Sequence, residues 1–148
     1  FGMTIAYYNR TERDDVPYPY YASAAALAEA CDVMALTCPG GEATRNLIDD
    51  AVFEALGGDG YLINIARGSV VDEAALVRAL SNDTIAGAGL DVFAAEPHVP
   101  EALFAMENVI LQPHQASATV ETRTAMGNLT IDNLLAHFQG KPLPNKVA

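Results

Sequence analysis

A doubly wound α/β fold, a parallel sheet with helices on both faces, is the architecture this sequence predicts, and three observations carry it. Short apolar runs rich in Val, Ile, Leu and Ala alternate with helix-like segments along the whole chain. The runs are nearly continuous in apolar residues, the pattern of strands buried on both faces. A residue suited to capping precedes three of the helical segments. At 148 residues, 51% hydrophobic and 18% charged, the chain is long enough for one core and too apolar for disorder.

Residues 3–8 form the first predicted strand, and further strands follow at 32–37, 61–66, 85–92 and 109–112, each bounded by turn residues. Between them, Ser23 is placed to cap a helix over 24–30, Asp49 one over 51–56, and Asp72 one over 73–80. The longest helix spans 119–139, with Val120, Leu129, Leu135 and Phe138 among its apolar positions and Gly140 as its stop signal. Those apolar positions read as core or as a subunit contact. Residues 141–148 hold Pro142 and Pro144 and are expected to be extended. No internal repeat interrupts the pattern.

A formal charge of −11 excludes nucleic acid or an anionic membrane as partner, since either needs a basic face. No apolar run reaches the roughly 18 residues of a membrane span. Phe1-Gly2-Met3 reads as leading into a strand rather than as a signal peptide. Cys31 and Cys38 lie at the two ends of one predicted strand, too far apart to be bridged. Free thiols suit a reducing cytoplasm. The three histidines are scattered and no Cys-x-x-Cys or His-x-x-x-His spacing occurs, so no metal site is expected.

Ligands of parallel α/β sheets bind at the carboxyl ends of the strands. Five such ends carry notable residues: Asn9-Arg10-Thr11, Thr37-Cys38-Pro39, Arg67 after Asn64-Ile65-Ala66, Glu96 a few residues past Asp91, and His114 after Gln112-Pro113. They are expected to converge on one crevice. A guanidinium, a carboxylate and an imidazole there could hold a substrate carboxylate and move one proton. Each has a plainer reading taken singly. Arg67 and Arg10 could be solvated cations, Glu96 a loop carboxylate, and His114 and Asp91 turn caps. Their joint placement at strand ends favours chemistry for Arg67, Glu96 and His114. His98 reads as a surface residue, His137 suits the negative end of a helix, and Asp49-Asp50 suits helix capping. Cys38 has no base beside it in sequence and is not read as a nucleophile.

These phrases resemble the NAD(P)-binding domain of the D-isomer-specific 2-hydroxyacid dehydrogenases. That family has an Arg after Asn-x-x, then a Glu before Pro, then a Pro-His, at spacings like the 29 and 18 residues found here. The runs from Gly68 to Leu76 and from Ala86 to Phe93 support the likeness, which covers essentially the whole chain. It implies a partial, Rossmann-like dinucleotide-binding domain over 1–140, and a tail over 141–148 returning toward a substrate domain. The Asn9-Arg10-Thr11 turn and the Gly140–Pro144 segment look most like the glyoxylate/hydroxypyruvate reductase branch. The family's first strand and its Gly-x-Gly-x-x-Gly turn do not occur here; Gly57-Gly58-Asp59-Gly60 precedes a strand and reads as a turn. A sheet without its central strand has two unpaired edges. The expectation is therefore an N-terminal remainder of the same protein, these residues being roughly its second half; otherwise another chain repairs the edges.

What the resemblance implies is hydride transfer between nicotinamide C4 and C2 of a small 2-keto or 2-hydroxy acid, glyoxylate or hydroxypyruvate. His114 would act as general acid, and Glu96 would fix its tautomer. Arg67 would clamp the substrate carboxylate and polarise its carbonyl. Cys38 and Pro39 would wall the nicotinamide, and Ile65 and Ala66 would pass their backbone near its ribose. Asp91 would hold the carboxamide, and Ala116 and Ser117 would follow His114 along the ring. Asn9 stands where NAD-specific members place an acid, followed by a cation and a hydroxyl, so NADP(H) is favoured over NAD(H). The field of Glu12, Asp14 and Asp15 opposes that choice. The family also implies a homodimer. Rival readings are relatives acting on D-lactate, 3-phosphoglycerate or phosphite, and a non-catalytic NAD(H)-sensing corepressor on the same fold. A formate dehydrogenase is disfavoured, because that branch lacks the glutamate.

Overall fold

The structure is a computed structural model that describes residues 2–146. It divides into two compact units, the first ending at His114 and the second beginning at Gln115. In the first, β1 (Tyr7–Tyr8) pairs in parallel with β2 (Tyr20–Tyr21). A separate four-stranded parallel sheet runs in the order β3 (Val33–Leu36), β4 (Tyr61–Asn64), β5 (Gly87–Leu90) and β6 (Val109–Leu111). Its register sets Leu36, Asn64, Leu90 and Leu111 side by side at the carboxyl end. The parallel α/β architecture expected from the alternating pattern is the one observed.

Three helices form where local capping chemistry allows them. α1 (Ala24–Glu29) starts at Ser23, whose hydroxyl accepts from the Ala26 N–H. Asp49 caps α2 (Asp50–Leu56) through the Val52 N–H. Asp72 caps α3 (Glu73–Ser81) through the N–H groups of both Ala74 and Ala75, each at 3.0 Å. Each bond satisfies a backbone donor that helix geometry leaves without a partner. The helices pack side by side, and Ala28, Phe53, Leu76 and Leu80 meet Met34, Leu36, Leu62 and Leu90 from the sheet in one buried cluster. Within this unit the opposite sheet face is open, with Val33, Tyr61 and Ile110 exposed. At the amino ends of the strands, the turns entering β4 and β5 use left-handed residues, Gly57 (φ 75°) and Asp83 (φ 54°).

Two expectations needed correction. The strand read over 3–8 is only two residues long, and Met3 and Ile5 are exposed. Its partner β2 is equally short, so the ladder has only two rungs. β2 itself was not foreseen: a two-residue strand after Pro19 is too brief to show a period of two.

The second unit is built on α4 (Val120–Phe138), capped by Thr119 through the Thr122 N–H. Its end is a left-handed turn at Gly140 (φ 64°), where Gly140 N–H donates to His137 and Lys141 N–H to Ala136. That pair of bonds closes the orphan carbonyls of the last turn. No residue of α4 is buried, and Met126, Ile131 and Phe138 are exposed. Residues 141–146 have no helix or strand, and Val147 and Ala148, the end of the tail read as extended, lie outside the described residues. No helix among the described residues is long and apolar enough to cross a membrane.

Asp72 satisfies two donors at once, so Asp72→Ala should lower unfolding free energy by about 1–2 kcal/mol. A urea melt of the variant against the parent checks this.

Candidate active site

Four strand ends open into one crevice of about 830 Å³. β3 contributes Thr37, Cys38 and Pro39, followed by Gly40 and Gly41. Residues 65–69 come from the end of β4, Phe93, Ala94 and Glu96 from the segment after β5, and His114 from beyond β6. Asn9, Arg10 and Thr11, at the end of β1, do not line it. The expectation of five converging ends holds for four.

The turn after β4 is set from below by Asn64, which is 1% exposed. Its side chain accepts from the Ala66 N–H at 3.0 Å and donates to the Arg67 carbonyl at 3.1 Å. A buried amide bonded at both ends cannot rotate without leaving a polar group without a partner, at about 1–3 kcal/mol. Arg67 therefore leaves the strand in one direction. Its side-chain stem lies against Gly40, where a Cβ would come within 2.8 Å of the Arg67 Cγ. Its guanidinium donates to the Ala66 carbonyl at 2.6 Å. The loop beneath is braced to residues 69–72 by backbone bonds from Asn46 to Ser69, Ile48 to Val70 and Asp72 to Ile48.

Glu96 and His114 meet directly. The Glu96 Oε2 stands 2.8 Å from the His114 Nδ1, and Glu96 Oε1 accepts from the Phe93 N–H at 3.0 Å. The Glu96 carboxyl is held below its ordinary range, first by the hydrogen bond to His114 and then by the Phe93 N–H, with smaller help from the His114 and Arg67 charges. With Nδ1 engaged, Nε2 is the ring nitrogen left to exchange a proton with a ligand. His114 holds a left-handed backbone (φ 51°), which is uncommon for a residue with a Cβ but less so for His than for most. Behind the pair lies a second, apolar recess walled by Phe93, Val99, Phe104, Leu111 and Pro113.

The other predicted residues are distributed as follows. Cys38, half-buried, and Pro39, exposed, form one wall with Ile65, which is 47% exposed at a strand end. Burial pushes the Cys38 and Cys31 thiols up, so both stay protonated at neutral pH, as the absence of a neighbouring base suggests for Cys38. Ala66 is buried. Asp91 is buried at the end of β5, where its N–H donates to the Asn64 carbonyl, and it does not line the crevice. Ala116 and Ser117 belong to the second unit. In the 9–15 turn, Asn9 donates to the Thr11 carbonyl and Tyr20 donates to the Asn9 carbonyl. The Tyr7 hydroxyl spans the turn by bonding both backbone groups of Arg13. Arg13 pairs with Asp15 at 2.5 Å, a partner for one of the opposing carboxylates that the sequence reading did not consider. No group of three or more His, Cys, Asp or Glu able to hold a metal occurs among the described residues.

Fold and site together define a parallel α/β nucleotide-binding domain with a guanidinium and an imidazole–carboxylate pair at its strand ends. The family model described as D-isomer specific 2-hydroxyacid dehydrogenase, NAD binding domain, matches residues 1–116. The chain belongs to that family. It is 52% identical over 143 residues to a glyoxylate/hydroxypyruvate reductase A of Arabidopsis thaliana, covering 97% of this chain and 46% of that protein. A 2-ketogluconate reductase of Gluconobacter oxydans matches at the same identity and coverage. The fold superimposes with a TM-score of 0.95 on the NADPH-dependent glyoxylate/hydroxypyruvate reductase of Sinorhizobium meliloti, solved with NADP and malonate; that chain is 50% identical, with 99% of this chain and 46% of that one covered. The chain thus spans about half the length of the relatives it matches.

A depressed carboxyl stabilises the folded state above the ordinary Glu value near pH ~4.3, and that contribution fades as pH falls through the lowered value. Removing its first cause should show this directly. In His114→Ala, the Glu96 side-chain carbonyl resonance should titrate at higher pH than in the parent.

Proposed function

We propose that the chain is the nucleotide-binding part of a reductase that converts small 2-keto acids of the glyoxylate/hydroxypyruvate type to D-2-hydroxy acids with NADPH. The observation that carries this reading is the 2.8 Å His114–Glu96 pair opening on the same crevice as Arg67. A binding-only module has no use for a paired imidazole beside a cation. The crevice suits a nicotinamide nucleotide: Pro39, Cys38 and Ile65 offer apolar walls to a flat ring, and Gly41 leaves open space beside them. When bound, the cofactor supplies the hydride that C2 of the keto acid receives.

The chain's own residues do the remaining work. Arg67 pairs with the substrate carboxylate through its planar fork and draws electron density from the adjacent carbonyl. As the carbonyl oxygen gains negative charge, His114 delivers the Nε2 proton to it and is left as neutral imidazole. Glu96 holds Nδ1–H throughout and keeps the ring facing the crevice. Cys38, Pro39, Ile65 and Ala66 confine the ring, and the family likeness assigns the carboxamide end to Asp91. Arg10, which makes no ion pair with a described residue, and Thr11 would receive the phosphate that distinguishes NADP(H) from NAD(H), with Asn9 shaping their turn. The Arg13–Asp15 pair supports that preference by reducing the opposing field. A cytoplasmic homodimer, with residues 1–140 as the nucleotide domain and 141–148 as its tail, completes the proposal.

Full-length protein mixed with glyoxylate and NADPH should consume the reduced nicotinamide, and no turnover with any 2-keto acid would end the reading. His114→Gln should lower kcat by about 10²–10⁴-fold while cofactor Kd changes little. Arg10→Ala should cut kcat/KM for NADPH by about tenfold or more, the scale of a lost charge-assisted bond, and leave the NADH value nearly unchanged.

A further inference from the structure

Glu73 stands outside the crevice, in the first turn of α3, yet its carboxylate reaches the loop that carries Glu96. Its Oε1 accepts from the Ala94 N–H at 2.7 Å, across 21 residues of sequence. The neighbouring N–H, that of Phe93, is the one that holds Glu96 Oε1. Two successive amides of one loop are therefore tied to two carboxylates, one fixed on a helix and one belonging to the imidazole pair. On its other side the same Phe93–Ala94 peptide presses on Gly68, where a Cβ would fall 1.9 Å from the Phe93 carbonyl carbon and 2.2 Å from the Ala94 nitrogen. The peptide is thus gripped between the turn that carries Arg67 and the start of α3.

We propose that Glu73 is a positioning residue for the His114–Glu96 pair, acting through the Ala94 N–H to orient the Phe93 N–H that anchors the Glu96 carboxylate. The inference deepens the reductase reading and rests on it for its kinetic consequence only. The two amides lie in successive peptide planes hinged at the Phe93 Cα, so a Phe93–Ala94 plane released from Glu73 frees the φ and ψ of Phe93 and with them the direction of the Phe93 N–H. Glu96 then loses the N–H at Oε1 and can swing from His114, whose Nδ1 is held by Oε2 of the same carboxylate. The charged groups facing the pair are Arg67 across the crevice and Glu73 behind the loop; neither touches the imidazole in a bond. Around metal centres, outer groups that orient a ligating side chain are worth about 10–100-fold when removed, and that sets the scale expected of Glu73.

A bland alternative assigns Glu73 to helix stability, as an acid at the positive end of α3. Two variants of the full-length protein separate the roles. Glu73→Gln keeps an oxygen at the same reach but drops the charge; Glu73→Asp keeps the charge but is shorter by a methylene. Positioning predicts that Glu73→Gln retains the low Glu96 titration and the slow exchange of the Ala94 amide, whereas Glu73→Asp raises the first and speeds the second. On keto acid and NADPH, Glu73→Asp should lower kcat by about tenfold with cofactor KM unchanged, and Glu73→Gln should stay within about twofold. The reverse order, or a Glu96 titration equal in all three proteins, overturns the assignment. The carboxyl titration and amide exchange need no substrate, so they decide the role of Glu73 even if the protein reduces no keto acid. Thermal unfolding of both variants confirms that each is folded.

Discussion

The contact on which the site depends is one between two peptides. Gly68 follows Arg67, and its backbone lies so close to the Phe93–Ala94 peptide that no side chain could stand between them. Strand ends of a parallel sheet are separated by loops with their own freedom, and charged groups on independent loops would share a crevice only on average. Here the loops are in van der Waals contact, so the arginine and the glutamate occupy one rigid frame. The 2.8 Å bond from Glu96 extends that frame to His114 beyond the next strand. Close packing without cavities makes such a contact an all-or-none constraint.

The site is held by backbone geometry more than by burial of charge. Glu96 and His114 are both substantially exposed, and their ion pair alone would contribute little in water. What makes the pair definite is the amide at Phe93 and the left-handed turn at His114. Arg67 is defined likewise by a buried asparagine and by the absence of a Cβ at Gly40. The orientation of its charged groups is fixed by backbone geometry beforehand.

The sequence was informative where the determining physics is local. Ser23, Asp49 and Asp72 cap helices through groups two or three residues ahead, which is why those starts could be read directly, whereas Thr119, read as the first residue of the last helix, is its cap. The long strands announced themselves by composition, although hydrogen-bonded ladders stop short of the apolar runs, as at β5, where Ile85 and Val92 are buried but outside the ladder. Arg67, Glu96 and His114 were visible as strand-end residues in a familiar order, and three of the expected groups do share one crevice. The parts that support them were not visible. Asn64 stood in the Asn-x-x-Arg phrase without a sign that its amide would be bonded at both ends, and Glu73 looked like a helix-start acid. Gly68 gave no sign that a peptide 25 residues further on would rest against it. The Tyr7 and Tyr20 bonds across the 9–15 turn are tertiary in the same sense, and β2 is too short to leave a pattern at all.

All of the chemistry lies at one rim of the sheet, and the opposite rim is built differently. There the turns at Gly57-Gly58-Asp59 and at Asn82-Asp83 are solvent-facing or nearly so and bend through left-handed residues. They are linked to the crevice only through the length of the strands. Surface turns of that kind accept inserted sequence with little cost to a fold. That rim is consequently the natural place to attach a fluorophore, a purification handle or an immobilising tether, with the crevice at the carboxyl ends of the strands left untouched.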